Sequence, residues 1–154
     1  EPNILYISHS RCNNLIARFF FNLLKHMIQQ VTKGIKISVE TRFEGKFYKD
    51  FQLKYAFAYQ ITIENQSNDS VQLKSRFWEI KDALSEIEYV SGEGVIGKKP
   101  VLKPGESHTY QSGCLLTAPI GSMSGYYNMI NFTTTNEFQV RIPPFRLAAT
   151  FALN

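Results

Sequence analysis

Cysteine is scarce in this chain: Cys12 and Cys114 are the only two, far apart in segments of different character. That excludes the disulfide framework on which small secreted β domains rely, and it points to a reducing, cytoplasmic compartment. No C-x-x-C or H-x-x-x-H spacing occurs, and His9, His26 and His108 are isolated from one another. A zinc site therefore has no ligand set, and neither a metal nor a cofactor is expected. A surplus of one charge is also missing. The formal charge is +4, but residues 1–30 set Arg11, Arg18 and Lys25 against Glu1, leaving 14 basic against 12 acidic residues in the body. Apart from Lys98-Lys99 the bases are scattered among acids, and the aromatic signatures of RNA-recognition domains are absent. Phosphate affinity needs a clustered footprint, so no nucleic-acid partner is expected.

Nor is there a long hydrophobic run. Leu15, Ile16, Phe19, Phe20, Leu23, Leu24, Met27 and Ile28 recur at helical spacing after Asn13 or Asn14 as an N-cap, which predicts a short amphipathic helix. Arg18, Asn22 and Lys25 interrupt it, and a membrane span needs about 20 apolar residues, so no membrane insertion is expected. No small-residue cleavage site follows, as a signal peptide would require. Met27 reads as a translation start, with the residues before it as upstream sequence or an accessory segment. Residues 1–30 are accordingly set apart as an N-terminal extension, and residues 31–154 as one domain.

What is present in quantity is apolar and aromatic. The chain is 44% hydrophobic and 14% aromatic against 19% charged, enough to bury one core in 154 residues. From Ile35 the period becomes two: Ile35, Ile37, Val39 and Phe43 alternate with Lys36, Ser38, Glu40 and Arg42. After Glu44-Gly45 a second alternation runs through Leu53, Tyr55, Phe57, Tyr59, Ile61 and Ile63. The turn-forming stretch from Asn65 to Ser70 predicts a hairpin joining that strand to the next. Val71 and Leu73 then give way to Trp78 and Ile80 on the opposite parity, which predicts a bulge near Ser75. Further strands are expected at residues 86–90, 107–112, 126–132 and 137–142. Seven short strands punctuated by Gly, Pro, Asn and Ser specify an all-β protein, an immunoglobulin-like antiparallel sandwich. Phe57, Ile61, Trp78, Val140 and Ile142 are its candidate core.

Candidate chemistry is thin. Gly92-Glu93-Gly94-Val95-Ile96-Gly97 matches G-x-G-x-x-G, but Lys98-Lys99-Pro100 follows at once and leaves no room for the helix a dinucleotide fold requires. Two readings remain for Gly92, Gly94, Gly97, Lys98 and Lys99: a tight connection between strands, or backbone N–H groups and lysines presented to an anion such as a phosphate-bearing small molecule. Trp78, the only tryptophan, suits core packing or ligand stacking. Lys103-Pro104-Gly105-Glu106 is a type II turn signature. Pro143-Pro144 is expected to end a strand and blunt a sheet edge. Gly121-Ser122-Met123-Ser124-Gly125 superficially matches a nucleophile elbow but has methionine at its centre. No set of nucleophile, base and orienting group is visible, so no enzymatic activity is expected.

Taken in chain order, Arg76-Phe77-Trp78, the glycine-rich stretch 92–97, Pro100 to Glu106, Tyr110-Gln111-Ser112-Gly113, Met123-Ser124-Gly125-Tyr126-Tyr127 and Ile142-Pro143-Pro144-Phe145 resemble the ApaG domain family over residues 32–147. The resemblance implies a fibronectin type III-like sandwich, in agreement with the strand count. It also implies a protein-interaction role with an unidentified protein partner, since eukaryotic relatives carry the domain beside F-box or polymerase-interacting regions. An association with cobalt and magnesium handling follows from the stand-alone bacterial members. A nucleotide or pyrophosphate site, proposed for the family, would map onto Gly92, Gly94 and Gly97. The oligomeric state is left open.

Overall fold

Strict alternation of apolar and polar residues produces strands with one wet and one dry face, and two such sheets bury each other's dry faces. The computed structural model describes residues 27–153. Its strands are β1 (Ile28–Thr32), β2 (Ile35–Lys49), β3 (Gln52–Asn65), β4 (Val71–Asp82), β5 (Glu88–Glu93), β6 (Val101–Leu102), β7 (Ser107–Leu116), β8 (Ile120–Asn131) and β9 (Glu137–Ala148), closed by a 3-10 turn at Thr150–Leu153. All pairings are antiparallel, in the order β1-β2-β3-β7 in one sheet and β5-β4-β8-β9 in the other, with β6 also on β4. This is the antiparallel sandwich that the sequence predicts. The helix expected before residue 28 lies outside the described residues apart from Met27 and Ile28, and Ile28 opens β1.

The alternating residues face inward as their period requires. Ile35, Ile37 and Val39 of β2 and Tyr59, Ile61 and Ile63 of β3 are buried against Leu73, Trp78, Tyr127, Met129, Val140 and Ile142 of the second sheet. All five expected core residues are at most 3% exposed. Tyr59, Trp78 and Phe145 form an aromatic triangle with ring centroids 5.6–5.9 Å apart. The parity change in β4 is resolved by a bulge between Leu73 and Ser75, as expected.

Four expectations are corrected. Nine strands are described rather than seven. The strands flanking residues 65–70 are not hairpin neighbours: β3 and β4 belong to opposite sheets. Fully buried Asn65 makes that corner, donating from Nδ2 to the carbonyls of Asp69 (2.7 Å) and Leu102 (2.9 Å) and accepting at Oδ1 from the Ser67 amide and hydroxyl. With its side chain bonded both within the turn and to distant Leu102, Asn65 bends the chain across the core instead of back along one sheet. The strand that opens at Ile35 does not give way to a second one at Glu44-Gly45, which lie at a bulge within β2, and β2 continues to Lys49. Pro143-Pro144 does not end β9, which runs on to Ala148. The two prolines fall in a register shift opposite Ser124, on a strand at the sheet edge, where missing amides are tolerated.

Asp82 closes the far end of β4. Its Oδ1 accepts from the amides of Leu84 (3.0 Å) and Ala118 (3.1 Å), and its Oδ2 from the Thr117 amide (2.5 Å) and hydroxyl (2.7 Å). Burial pushes the carboxyl pKa up, but the backbone amides of Leu84, Thr117 and Ala118 together with the Thr117 hydroxyl outweigh it and hold it below the ordinary range. A carboxylate with a depressed folded pKa stabilises above its unfolded pKa and loses that contribution as pH falls through the folded value. Asp82→Asn is therefore expected to flatten the acid limb of the stability curve below about pH 4. Urea unfolding of both proteins between pH 2 and 7 measures it, and identical acid limbs would contradict the assignment.

Candidate binding sites

The glycine-rich stretch is an excursion from one composite edge. β5 and β6 both pair with β4 on the same side, and residues 94–100 loop out between them. Val95 and Lys98 close a two-residue hairpin through reciprocal bonds of 2.8 and 3.0 Å, with Ile96 (φ 47°) and Gly97 (φ 71°) at its centre. Positive φ at both centres is the type I′ arrangement. Gly94 has φ +57°, and a Cβ there would lie 2.2 Å from the Lys98 carbonyl. Gly92 stays in β5, its face against the Arg76 guanidinium, 3.0–3.2 Å from where a Cβ would stand.

Gly92, Gly94, Gly97, Lys98 and Lys99 are thus brought together, but most of their polar capacity is turned inward. The Gly94 amide donates to the Lys74 carbonyl and those of Val95 and Lys98 to each other, while Lys99 pairs with Glu93. Backbone requirement accounts for Gly94 and Gly97. Gly94→Ala is expected to lower the melting temperature by several degrees, because it adds both a clash and a strained φ. The pair Lys98→Ala and Lys99→Ala is expected to leave melting nearly unchanged, since exposed pairs contribute little. If that pair abolished nucleotide-dependent thermal stabilisation, the loop would be an anion site; if Gly94→Ala melted like the wild type, the backbone account would fail.

Beside this hairpin the sheets part. A cleft of about 350 Å3 opens between the β7 edge of one sheet and the β5 edge of the other. Trp78, Ile80 and Met123 contribute apolar walls, Tyr59, Tyr110 and Ser112 hydroxyls, and Ile96 the hairpin side of the lining. Arg76 enters from β4, its Nη1 donating to the carbonyls of Glu93 (3.1 Å) and Gly94 (2.8 Å). Tyr110 and Tyr127 share a short buried hydrogen bond between their hydroxyls. Burial raises the pKa of Tyr59, Tyr110 and Tyr127, against a downward pull from the Arg76 charge. Burial, then the charges of Glu88 and Asp82, pushes the Cys114 thiol up to about 11. At neutral pH these groups are hydrogen-bonding partners without a thiolate or phenolate nucleophile among them. Among the described residues no three His, Cys, Asp or Glu side chains are placed to share a metal ion, and no helix is long and apolar enough to cross a membrane.

The third feature was not singled out by sequence. β1 accompanies β2 only to Val39, and β7 accompanies β3 only from Tyr55, so over residues 46–54 those two strands have only each other. They project as an arm ending in Asp50 (φ 51°) and Phe51 (φ 59°). Phe47, Tyr48 and Phe51 are 42%, 78% and 104% exposed. Lys33-Gly34 and Ile96-Gly97 make the same positive-φ pair with glycine second, where the arm has phenylalanine. A signal existed: Phe47, Tyr48 and Phe51 crowd among Lys46, Lys49 and Lys54, but an aromatic cluster reads as core until its strand neighbours are known.

Two face-packed antiparallel sheets, with a cleft between their edges and a projecting hairpin, define a fibronectin type III-like sandwich. Comparison with known proteins narrows the class. The family model of the ApaG domain matches residues 46–131. Protein ApaG of Acidithiobacillus ferrooxidans is 44% identical over 123 residues, 80% of this chain and 96% of its own length. Protein ApaG of Methylorubrum populi is 43% identical over 121 residues, covering 79% and 92%. A crystal structure of a Bordetella pertussis protein called ApaA superposes with a TM-score of 0.70 at 37% identity, over 75% of this chain and 94% of that one. The chain belongs to the ApaG domain family.

Proposed function

We propose that this domain is a non-enzymatic protein-interaction module, and that the β2–β3 arm is the element its partner grips. Phe51 carries the reading. A non-glycine residue in the left-handed region costs about 1–2 kcal/mol, and strain of this kind gathers where a side chain is needed for something other than stability. Phe51 accepts that strain while leaving its whole ring in solvent. Exposed aromatic clusters mark association sites, and Phe and Tyr are enriched at the centres of interfaces. The arm carries Lys46, Lys49 and Lys54 with Asp50 as the one acid among residues 46–54, so the partner surface should be acidic around an apolar slot.

The neutral hydroxyls and thiol of the cleft support the non-enzymatic part of the reading, and the free thiol of Cys114 suits a cytoplasmic setting. Any role in cobalt and magnesium handling would on this reading run through the partner. The test is affinity capture from the lysate of a related bacterium, comparing the wild type with Phe51→Gly. A protein held stoichiometrically by the wild type and lost by the variant supports the arm. Equal retention by both, or no specific retention at varied salt, contradicts it.

A further inference from the structure

The cleft between the sheets is lined by one cation, Arg76, and one acid, Glu88. Arg76 is half-buried, yet among the described residues no carboxylate pairs with it. Nη1 is committed to two backbone carbonyls, which fixes the guanidinium while leaving most of its five donors unspent. A partly buried cation held in place without a counter-ion is costly to keep and is suited to receiving one. Gly92 contributes by omission, since a side chain there would press on the guanidinium itself. Tyr59, Tyr110 and Ser112, from β3 and β7, line one side of the cleft, and Trp78, Ile80 and Met123 supply an apolar surface. Ile96, a β-branched residue at φ 47°, is held at a backbone angle such residues rarely adopt, and it lines the same space.

We propose that this cleft binds a monocarboxylate with a compact apolar body, its carboxylate on Arg76 and its body against Trp78, Ile80 and Met123. A cleft of about 350 Å3 falls at the small end of ligand sites, with the expected mixture of apolar wall and few convergent polar groups. The planar fork of a guanidinium matches a carboxylate with two parallel hydrogen bonds. Glu88 lines the same cleft, and its negative charge disfavours a nucleoside polyphosphate or other multiply charged anion. The carboxylate could belong to a free organic acid or to the C-terminus of a polypeptide, and the experiment separates the two.

Trp78 provides the readout, because it is the only tryptophan in the chain and lines the cleft. The full chain is titrated with 3-phenylpropionate, with its uncharged analogue 3-phenylpropanamide, with phenyl phosphate, and with a short peptide ending in a free Phe carboxylate. A saturable fluorescence change is expected with the acid or the peptide, and at least about tenfold weaker binding of the amide. Binding by the acid assigns the site to small molecules, and binding by the peptide alone assigns it to a chain terminus; both support the carboxylate. Arg76→Lys keeps the charge without the fork and should weaken binding about tenfold. Arg76 also braces the hairpin, so Gly92→Ala serves as the second variant: its added methyl displaces the guanidinium in a strand of ordinary φ, and it should weaken binding while melting cooperatively. Equal affinity for acid and amide would overturn the proposal. So would the absence of any response from folded wild type at about 10 mM acid and peptide, well above the concentrations at which most specific sites fill.

Discussion

Replacing Trp78 by Ala is expected to cost about 3–5 kcal/mol, the range for a large aromatic truncated in a packed interior. The indole is 3% exposed and packs on Tyr59 and, edge-on, on Phe145, so the cavity would open where both sheets contribute to one aromatic triangle. Neighbouring strands are held by antiparallel ladders on both sides of Trp78, through Val90 and Gly125, and have little freedom to collapse into the gap. Urea unfolding followed by circular dichroism gives the number, since the variant has no tryptophan to follow. A loss below about 1 kcal/mol would mean that the ring is not a core element and would move it to a binding role.

Asn65→Ala should be comparably damaging, at about 3 kcal/mol, for a different reason. Asn65 is fully buried and is the only polar residue in the buried set of the described residues. Its side chain ties the corner between the sheets to Ser67, Asp69 and Leu102, and its backbone bonds Gly105 and Glu106. Removing the amide leaves the Leu102 carbonyl without that donor, and an unsatisfied buried group costs about 1–3 kcal/mol. Asn65→Asp is the sharper variant: it keeps the Oδ1 acceptor but replaces two donated bonds by a buried charge facing two carbonyls. It should be at least as unstable as Ala at pH 7 and should recover in acid, where the protonated group can donate again. Equal stability of Asp and Ala across pH would contradict the hydrogen-bonding role.

The sheets were legible because period-two alternation is a direct consequence of burying one strand face. Ile35 to Val39 and Phe57 to Ile63 point inward as read. Which strands pair was less legible, since turn residues announce a change of direction but not its target. Residues 65–70 look like a hairpin and form a corner, because Asn65 bonds to Leu102, distant in sequence. Pro143-Pro144 reads as a terminator, and becomes a bulge because β9 lies at an edge. The glycine motif was legible as a tight turn, while its union with Arg76 depends on β4 and β5 lying side by side. The arm left only the crowding of Phe47, Tyr48 and Phe51 among lysines as a signal, which stays ambiguous in sequence because exposed aromatics differ from core ones in having no neighbouring sheet.

The most direct measurement compares Phe51→Gly with the wild type in two properties at once, thermal melting and binding of the protein captured by the domain. Glycine relieves the left-handed strain, partly offset by its greater freedom in the unfolded chain, so melting should stay level or rise slightly. Binding should fall by at least about tenfold, the usual consequence of removing a central aromatic anchor. A variant that melts no lower and no longer binds is the predicted result. A variant that binds the captured protein as tightly as the wild type would contradict the claim that the arm is the recognition element.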